Sequence, residues 1–204
     1  MNLLAQLKNS LRGATQKWGG PALKRSLWNR EFQQGRWDFI EDTKGDVLYP
    51  FLEKYCRQGN LLDLGCGTGN TGCELDAVAY NKYVGVDISD VALEKARQRS
   101  EGAGRSKKNE YVRADIALYE PKEKFQVVLF RESIYYIPRP RIISVLRRYG
   151  NSLEPGGVII VRTHNESEAQ AIESLLEVIP GAIEEKKSFS GGVSVLVLSF
   201  SRQK

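Results

Sequence analysis

At 204 residues with a formal net charge of +5, the chain has the size of one domain, enough for a doubly wound sheet with its helices but not for a second full domain. No run of about eighteen apolar residues occurs, so no membrane-spanning helix is expected. The opening Met1-Asn2-Leu3-Leu4 lacks the charged segment, apolar core and small-residue cleavage site of a secretory signal, and a cytoplasmic protein is the expectation. Three cysteines, Cys56, Cys66 and Cys73, lack C-x-x-C spacing, and the lone histidine, His164, is far from them; they read as reduced thiols, and no metal site is expected. The charge is uneven. Lys8, Arg12, Lys17, Lys24, Arg25 and Arg30 all precede the first acid, Glu31, and such a surface can meet phosphate, anionic lipid or an acidic substrate.

In chain order, Leu4, Leu7, Leu11 and Ala14 recur at helical spacing opposite Lys8 and Arg12 until Gly19-Gly20-Pro21 interrupts the pattern. Two readings stay open: a lid helix packing on the domain, and a basic amphipathic helix lying on a membrane surface. Residues 27–40 hold two of the three tryptophans, Trp28 and Trp37, and a helical run follows from Val47 to Tyr55. Residues 1–58 thus read as a helical arm preceding one globular unit over 59–204.

From residue 60, strands and helices alternate. Strands are expected at Asn60–Leu64, Lys82–Asp87, Glu110–Ala114, Phe125–Phe130 and Val158–Arg162. Helices are expected from the glycine loop to Tyr80, from a Ser89 or Asp90 cap through Gln98, at Pro140–Tyr149 and at Glu166–Val178. Ala182–Phe189 and Val193–Phe200, flanking Ser190-Gly191-Gly192, read as a β-hairpin. The class is α/β, a doubly wound, mostly parallel sheet ending in an antiparallel hairpin, and ligands of such sheets bind outside the carboxyl ends of the strands.

The stretch at that edge is Leu61-Leu62-Asp63-Leu64-Gly65-Cys66-Gly67-Thr68-Gly69-Asn70, an apolar run that stops in three alternating glycines and lets backbone amides approach a ligand. Gly67-Thr68-Gly69-Asn70-Thr71-Gly72 matches the dinucleotide pattern G-x-G-x-x-G, yet Gly65 is the residue that follows the strand directly, and from there the frame reads G-x-G-x-G. Asp87 closes the second strand about where a ribose-binding acid belongs on either cofactor.

Taken together, Asp63-Leu64-Gly65-Cys66-Gly67-Thr68-Gly69, Gly85-Val86-Asp87-Ile88-Ser89, Arg113-Ala114-Asp115-Ile116, Phe125–Phe130 and Leu153-Glu154-Pro155-Gly156-Gly157 through Val161 resemble, in order, the motifs of class I S-adenosylmethionine-dependent methyltransferases. The resemblance covers residues 60 to 200 and implies a seven-stranded sheet of order 3-2-1-4-5-7-6, with S-adenosylmethionine as cofactor and S-adenosylhomocysteine as product. It further implies that Gly65, Cys66, Gly67 and Gly69 pass close to the cofactor, that Asp63 orders this loop and that Asp87 accepts from the ribose. By the same resemblance Asp115 accepts from the adenine amine between Ile88 and Ile116. An arginine in the preceding element commonly meets the methionine end, for which Arg36 is the candidate, with Arg131 at the end of strand four also expected at the cofactor.

On the acceptor side, Phe130-Arg131-Glu132-Ser133-Ile134-Tyr135-Tyr136 lacks the Asn/Asp-Pro-Pro-aromatic run of exocyclic base methylation and the Pro-Cys of cytosine carbon methylation, and Glu132 alone does not supply a hard-cation site. A hydroxyl acceptor needs a base, for which His164 is available, while an amine acceptor needs only an acceptor such as Glu132, with Tyr135 beside it. Glu132 to Tyr136 is similar to small N-methyltransferases of the nodulation-factor type. Arg131, Arg139, Arg141 and Arg162 suggest an anionic acceptor. The expectation is N- or O-methylation of a small molecule by a monomer or homodimer, without nucleic acid. An RNA- or protein-modifying methyltransferase, a non-catalytic binding module and a nicotinamide-dependent reductase are the alternatives.

Overall fold

The computed structural model describes residues 3–40, 42–179 and 182–200. Seven strands form one sheet of order β3-β2-β1-β4-β5-β7-β6: β1 Leu61–Leu64, β2 Tyr83–Asp87, β3 Asn109–Arg113, β4 Phe125–Arg131, β5 Leu153–Thr163, β6 Ile183–Ser188 and β7 Ser194–Leu198. β1 pairs in parallel with β2 and β4, while β7 runs antiparallel to β5 and β6. The seven-stranded order and the closing hairpin are those the sequence led us to expect.

All four residues of β1 are buried, which is why Leu61-Leu62-Asp63-Leu64 shows no polar alternation: both faces of a central parallel strand are covered. On one face Leu62, Leu64, Val128 and Phe130 pack with Ile142, Val145 and Leu146 of helix α6 (Arg139–Gly150) and Ile172 of helix α7 (Glu166–Leu176). On the other, Leu61, Val127, Leu129 and Ile160 pack with Leu52 and Tyr55 of helix α3 (Tyr49–Cys56). Although it precedes the sheet in sequence, α3 is built into its core.

Three boundaries differ from the sequence reading. Helix α4 covers only Asn70–Glu74 and does not reach Tyr80. Asp76 ends it by forming a turn, its Oδ1 accepting from Val78 N at 3.1 Å and its carbonyl from Ala79 N at 3.0 Å. Helix α5 runs Asp90–Gly102 from a Ser89 cap that accepts from Ala92 N, one turn beyond Gln98. β5 starts at Leu153, because the Glu154-Pro155-Gly156-Gly157 segment joins the strand through a register shift against β4 with Gly156 at φ 74°.

The arm consists of α1 (Leu3–Trp18) and α2 (Pro21–Gln33), parted at Gly19-Gly20 with Pro21 in the first turn of α2. It crosses the carboxyl edge of the sheet and docks on α5, where Arg25 and Asn29 both bond Asp90, at 2.5 and 3.1 Å. Inside it Glu31, 2% exposed, accepts from Arg12 through both carboxylate oxygens and from Trp37 Nε1 at 3.1 Å. The apolar stripe of α1 does not pack inward as a lid helix would have it. Leu7 and Leu11 are 52% and 68% exposed, and Ala14 is exposed; the side chain of Leu4 lies outside the described residues. The arm covers a charged edge, and the buried Asp115 there takes Lys24 of α2 from the inner face of the arm.

Glu31→Ala is therefore expected to loosen the arm by about 2 kcal/mol, the value of hydrogen bonds to a charged group, and to leave the sheet intact. Limited proteolysis should cut residues 1–40 faster than in the parent while the thermal midpoint moves little; equal cutting rates would contradict this account.

Candidate active site

Where β1 ends, the chain must turn sharply under the end of β4. Gly65 has φ 81°, and a Cβ there would lie 2.6 Å from Ser133 Cβ. Ser133 holds the same spot from the other side, donating to the Leu64 carbonyl at 2.5 Å. Gly67 has φ 53°, and its amide donates to Asp87 Oδ2 at 3.0 Å; a Cβ there would meet only the Phe32 ring, at 3.7 Å. Backbone is thus presented to open space at Gly67.

That space is a cavity of about 470 Å³. Of the residues named from the sequence, Asp63, Gly65, Cys66, Gly67, Asp87, Ile88, Asp115, Ile116, Arg131, Glu132 and Tyr135 line it; Gly69, Arg36 and His164 do not. Gly69 faces the opposite way, where a Cβ would strike the Tyr111 hydroxyl at 2.7 Å and Ala96 at 2.9 Å, so its smallness serves the packing of the loop on α5. Cys66 is free, and burial pushes its thiol well up, as fits a small filler and not a nucleophile.

Three carboxylates mark one end. Asp63 accepts from Tyr83 Oη at 2.8 Å through Oδ2, while its buried Oδ1 has no partner, and burial pushes the carboxyl up to about 6. Asp87 accepts from Ser89 N at 2.9 Å and Gly67 N at 3.0 Å, and burial raises it as well. Asp115 accepts from Ala117 N at 2.9 Å, and its other oxygen pairs with Lys24 of the arm at 2.9 Å, both side chains being 9% exposed or less.

At the other end the last residue of β4, Arg131, bonds Asp46 Oδ2 at 2.7 Å, and Arg162 of β5 bonds the same oxygen at 3.0 Å. Arg162 also pairs with Glu132, whose second oxygen accepts from Tyr135 Oη at 2.8 Å and contacts His164 Nδ1. Glu132 adopts φ 54°, a left-handed conformation that strains a residue with a Cβ and turns its carboxylate toward β5. Above this network lie Trp28, Trp37 and Tyr136, with Trp28 edge-on to Tyr136 at 4.9 Å. Burial raises both tyrosines, Tyr136 to about 12.

Three placements correct the sequence reading. Arg36 is exposed on the outer side of the arm, in a groove with Arg12 and Arg30, because the turn after α2 directs Trp37 inward and Arg36 out. His164 has a side chain 65% exposed and touches Glu132 from outside the cavity. Arg139 and Arg141 are exposed in the first turn of α6, outside the lining. The sequence reading missed Lys24 and Asp46. Neither residue carries a local signal for an ion pair formed 91 and 85 residues away.

A doubly wound sheet of this order, with a glycine loop after β1 and acids at the tips of β1 and β2, defines the Rossmann-like cofactor-binding class. Residues 61–157 match the family described as a methyltransferase domain. That match covers just under half of the chain, the part that builds the first strands and loops of the cavity, and makes this segment similar to a methyltransferase domain. Over 114 residues it is 32% identical to the carboxy-S-adenosyl-L-methionine synthase of Desulfotalea psychrophila, covering 54% of this chain and 46% of that protein. The fold is similar to the magnesium protoporphyrin IX methyltransferase ChlM of Synechocystis PCC 6803 with bound cofactor (TM-score 0.67, 17% identity, 88% of this chain and 97% of that one). It is also similar to the N-methyltransferase NodS of Bradyrhizobium japonicum WM9 in complex with S-adenosylhomocysteine (TM-score 0.63, 15% identity, 83% and 97%). The chain spans about half the length of the curated relatives it matches. The cavity suits the cofactor: Asp63 Oδ1 waits for a donor, and the Gly67 backbone is bare.

The raised Asp63 carboxyl binds its proton more tightly folded than unfolded, so its contribution to stability is present at low pH and is lost as pH rises from about 4 to about 6. Asp63→Asn carries no charge to bury. Its thermal midpoint relative to the parent should therefore rise across that window in ligand-free protein, and a pH-independent difference would refute the assignment.

Proposed function

We propose that the protein transfers a methyl group from S-adenosylmethionine to a nitrogen or oxygen atom of a small-molecule acceptor. The observation that carries this reading is the division of one cavity between the acids Asp63, Asp87 and Asp115 and the polar set Glu132, Tyr135 and Arg162, with aromatic side chains above. Proteins of similar fold include an N-methyltransferase and a magnesium protoporphyrin IX methyltransferase, which supports a small acceptor.

When bound, the cofactor supplies an electrophilic methyl group on a sulfonium. In this reading Asp87 uses the lone pairs left by its two amide bonds to accept from the ribose hydroxyls. Ile88 and Ile116 flank the adenine, and Asp115 accepts from its amine once Lys24 shares or yields Oδ2. Arg131 takes the methionine carboxylate in place of Arg36, since it lines the cavity and its charge reaches Asp63 from the far end. Glu132 and Tyr135 orient the acceptor in line with the methyl group, which is most of what such a displacement asks of a protein. His164, outside the cavity, acts through Glu132 as a positioning residue. Trp28, Trp37 and Tyr136 keep water out.

Asp87→Ala should weaken S-adenosylmethionine binding by about 1.5 to 3 kcal/mol, as for loss of hydrogen bonds to a charged acceptor; calorimetry on a folded variant with unchanged affinity would remove Asp87 from the site. The activity itself is tested by supplying methyl-labelled cofactor with metabolite extracts and following label into small products. With an acceptor in hand, Glu132→Gln should lower kcat by about 100-fold or more and leave cofactor affinity as it was. Label that enters only RNA or protein would overturn the acceptor class.

A further inference from the structure

The outer face of the arm is left without a partner. Leu7, Leu11, Ala14 and Trp18 recur at intervals of four, three and four residues and so form one stripe along α1. A helix that serves only to cover its own domain turns such a stripe inward. Here Gln16 lines the cavity and Arg12 is held by Glu31 of α2, while Leu7 is 52%, Leu11 68% and Trp18 63% exposed, and Leu23 at the start of α2 is 65% exposed beside them. The flanks of this apolar face are basic. Lys8, Arg30 and Arg36 are exposed, Lys17 is half-buried, and among the described residues none of the four pairs with an acid. Residues 1–30 contain no acid at all. No helix among the described residues is long and apolar enough to cross a membrane.

We propose that this face of α1 and α2 docks the protein on the anionic surface of a lipid bilayer, Leu7, Leu11, Trp18 and Leu23 entering the headgroup boundary and the basic side chains meeting lipid phosphates and carboxylates. Charge complementarity favours this occupant. A protein partner or a second copy could cover the leucines, but a second copy would bring the same acid-free, basic flanks against these ones. The exposed tryptophan beside leucines and lysines is the composition that settles into the plane of a membrane interface. Binding so formed is shared between apolar burial and attraction to anionic lipid, and only the second part is screened by salt. The same arm then meets the cavity on one side and the membrane on the other, which would suit an acceptor that is itself held at a membrane surface.

The test uses the full chain and two sets of vesicles, phosphatidylcholine alone and phosphatidylcholine with phosphatidylserine, in a sedimentation assay. The protein is expected to sediment with the anionic vesicles, and less as salt is raised. The double variants Leu7→Ser/Leu11→Ser and Lys8→Glu/Lys17→Glu should each reduce partitioning by about tenfold or more. Circular dichroism and cofactor affinity should match the parent, because none of these four side chains lines the cavity. Parent protein that stays in the supernatant with anionic vesicles overturns the proposal, as do variants that sediment like the parent. A dimer seen by light scattering and dissociated by Leu7→Ser/Leu11→Ser, with no vesicle binding, also overturns it and gives the face to a second copy. None of these outcomes depends on which acceptor is methylated.

Discussion

The Asp87 carboxylate ties the site to the fold. It ends β2, and its two oxygens take the amides of Gly67, in the loop after β1, and Ser89, at the cap of α5. One side chain therefore sets the path of two loops that leave adjacent parallel strands in the same direction. Burial opposes its charge, and the two amide bonds compensate. Because Gly67 is drawn toward Asp87, its α-carbon is turned to the cavity and kept clear of side chains. The remaining lone pairs of the carboxylate are what a ribose would use, so the interaction that orders the loop and the one proposed to recognise the cofactor share the same atoms.

The other end of the cavity is organised differently, by alternation of charge. Arg131, Asp46, Arg162 and Glu132 form a chain of two cations and two anions, each linked to the next, which lets charges that are all well covered coexist beneath an aromatic roof. The left-handed backbone of Glu132 is the strained point of this arrangement. Strain of this kind persists where surrounding structure over-determines it, and here the Glu132 amide bonds the Arg162 carbonyl at 3.0 Å while its carboxylate bonds the Arg162 side chain. Moving either residue would disturb the other, so the rigidity of this wall comes from β4 and β5 being locked together at their ends.

How much of this was legible in the sequence depends on the range over which each feature is determined. The strand–glycine–helix succession after β1 and the closing hairpin are written in contiguous residues, and the structure has both; Asp63 and Asp87 stand at the tips of β1 and β2 and line the cavity, while Gly69 turns away from it. Helix and strand ends were read less well where a side chain decides them: Asp76 stops α4, and Gly156 lets β5 take in a segment that reads as a loop. Arg36 and Trp37 are neighbours with opposite orientations, a fact set by how the turn after α2 meets Glu31 and invisible to any local pattern. The pairing of Lys24 with Asp115 spans 91 residues and follows from where the arm comes to rest.

The arm shows most plainly why periodicity alone cannot orient a helix. Spacing identifies an apolar stripe, and the usual inference is that the stripe faces the core. That inference assumes the surface beneath the helix is apolar. Beneath this arm are Asp115 and the polar residues of a ligand cavity, and a buried carboxylate left unpaired would cost several kcal/mol, more than the gain from burying one or two leucines. The side of the arm that carries Lys24 therefore faces inward, while the Arg12–Glu31 pair braces α1 against α2 with Gln16 of α1 turned to the cavity. Once that requirement is met, geometry leaves Leu7, Leu11 and Trp18 no choice but to point outward. The exposed stripe is thus a consequence of the charge of the edge it covers, and the energy its burial could still release is available to whatever surface meets it.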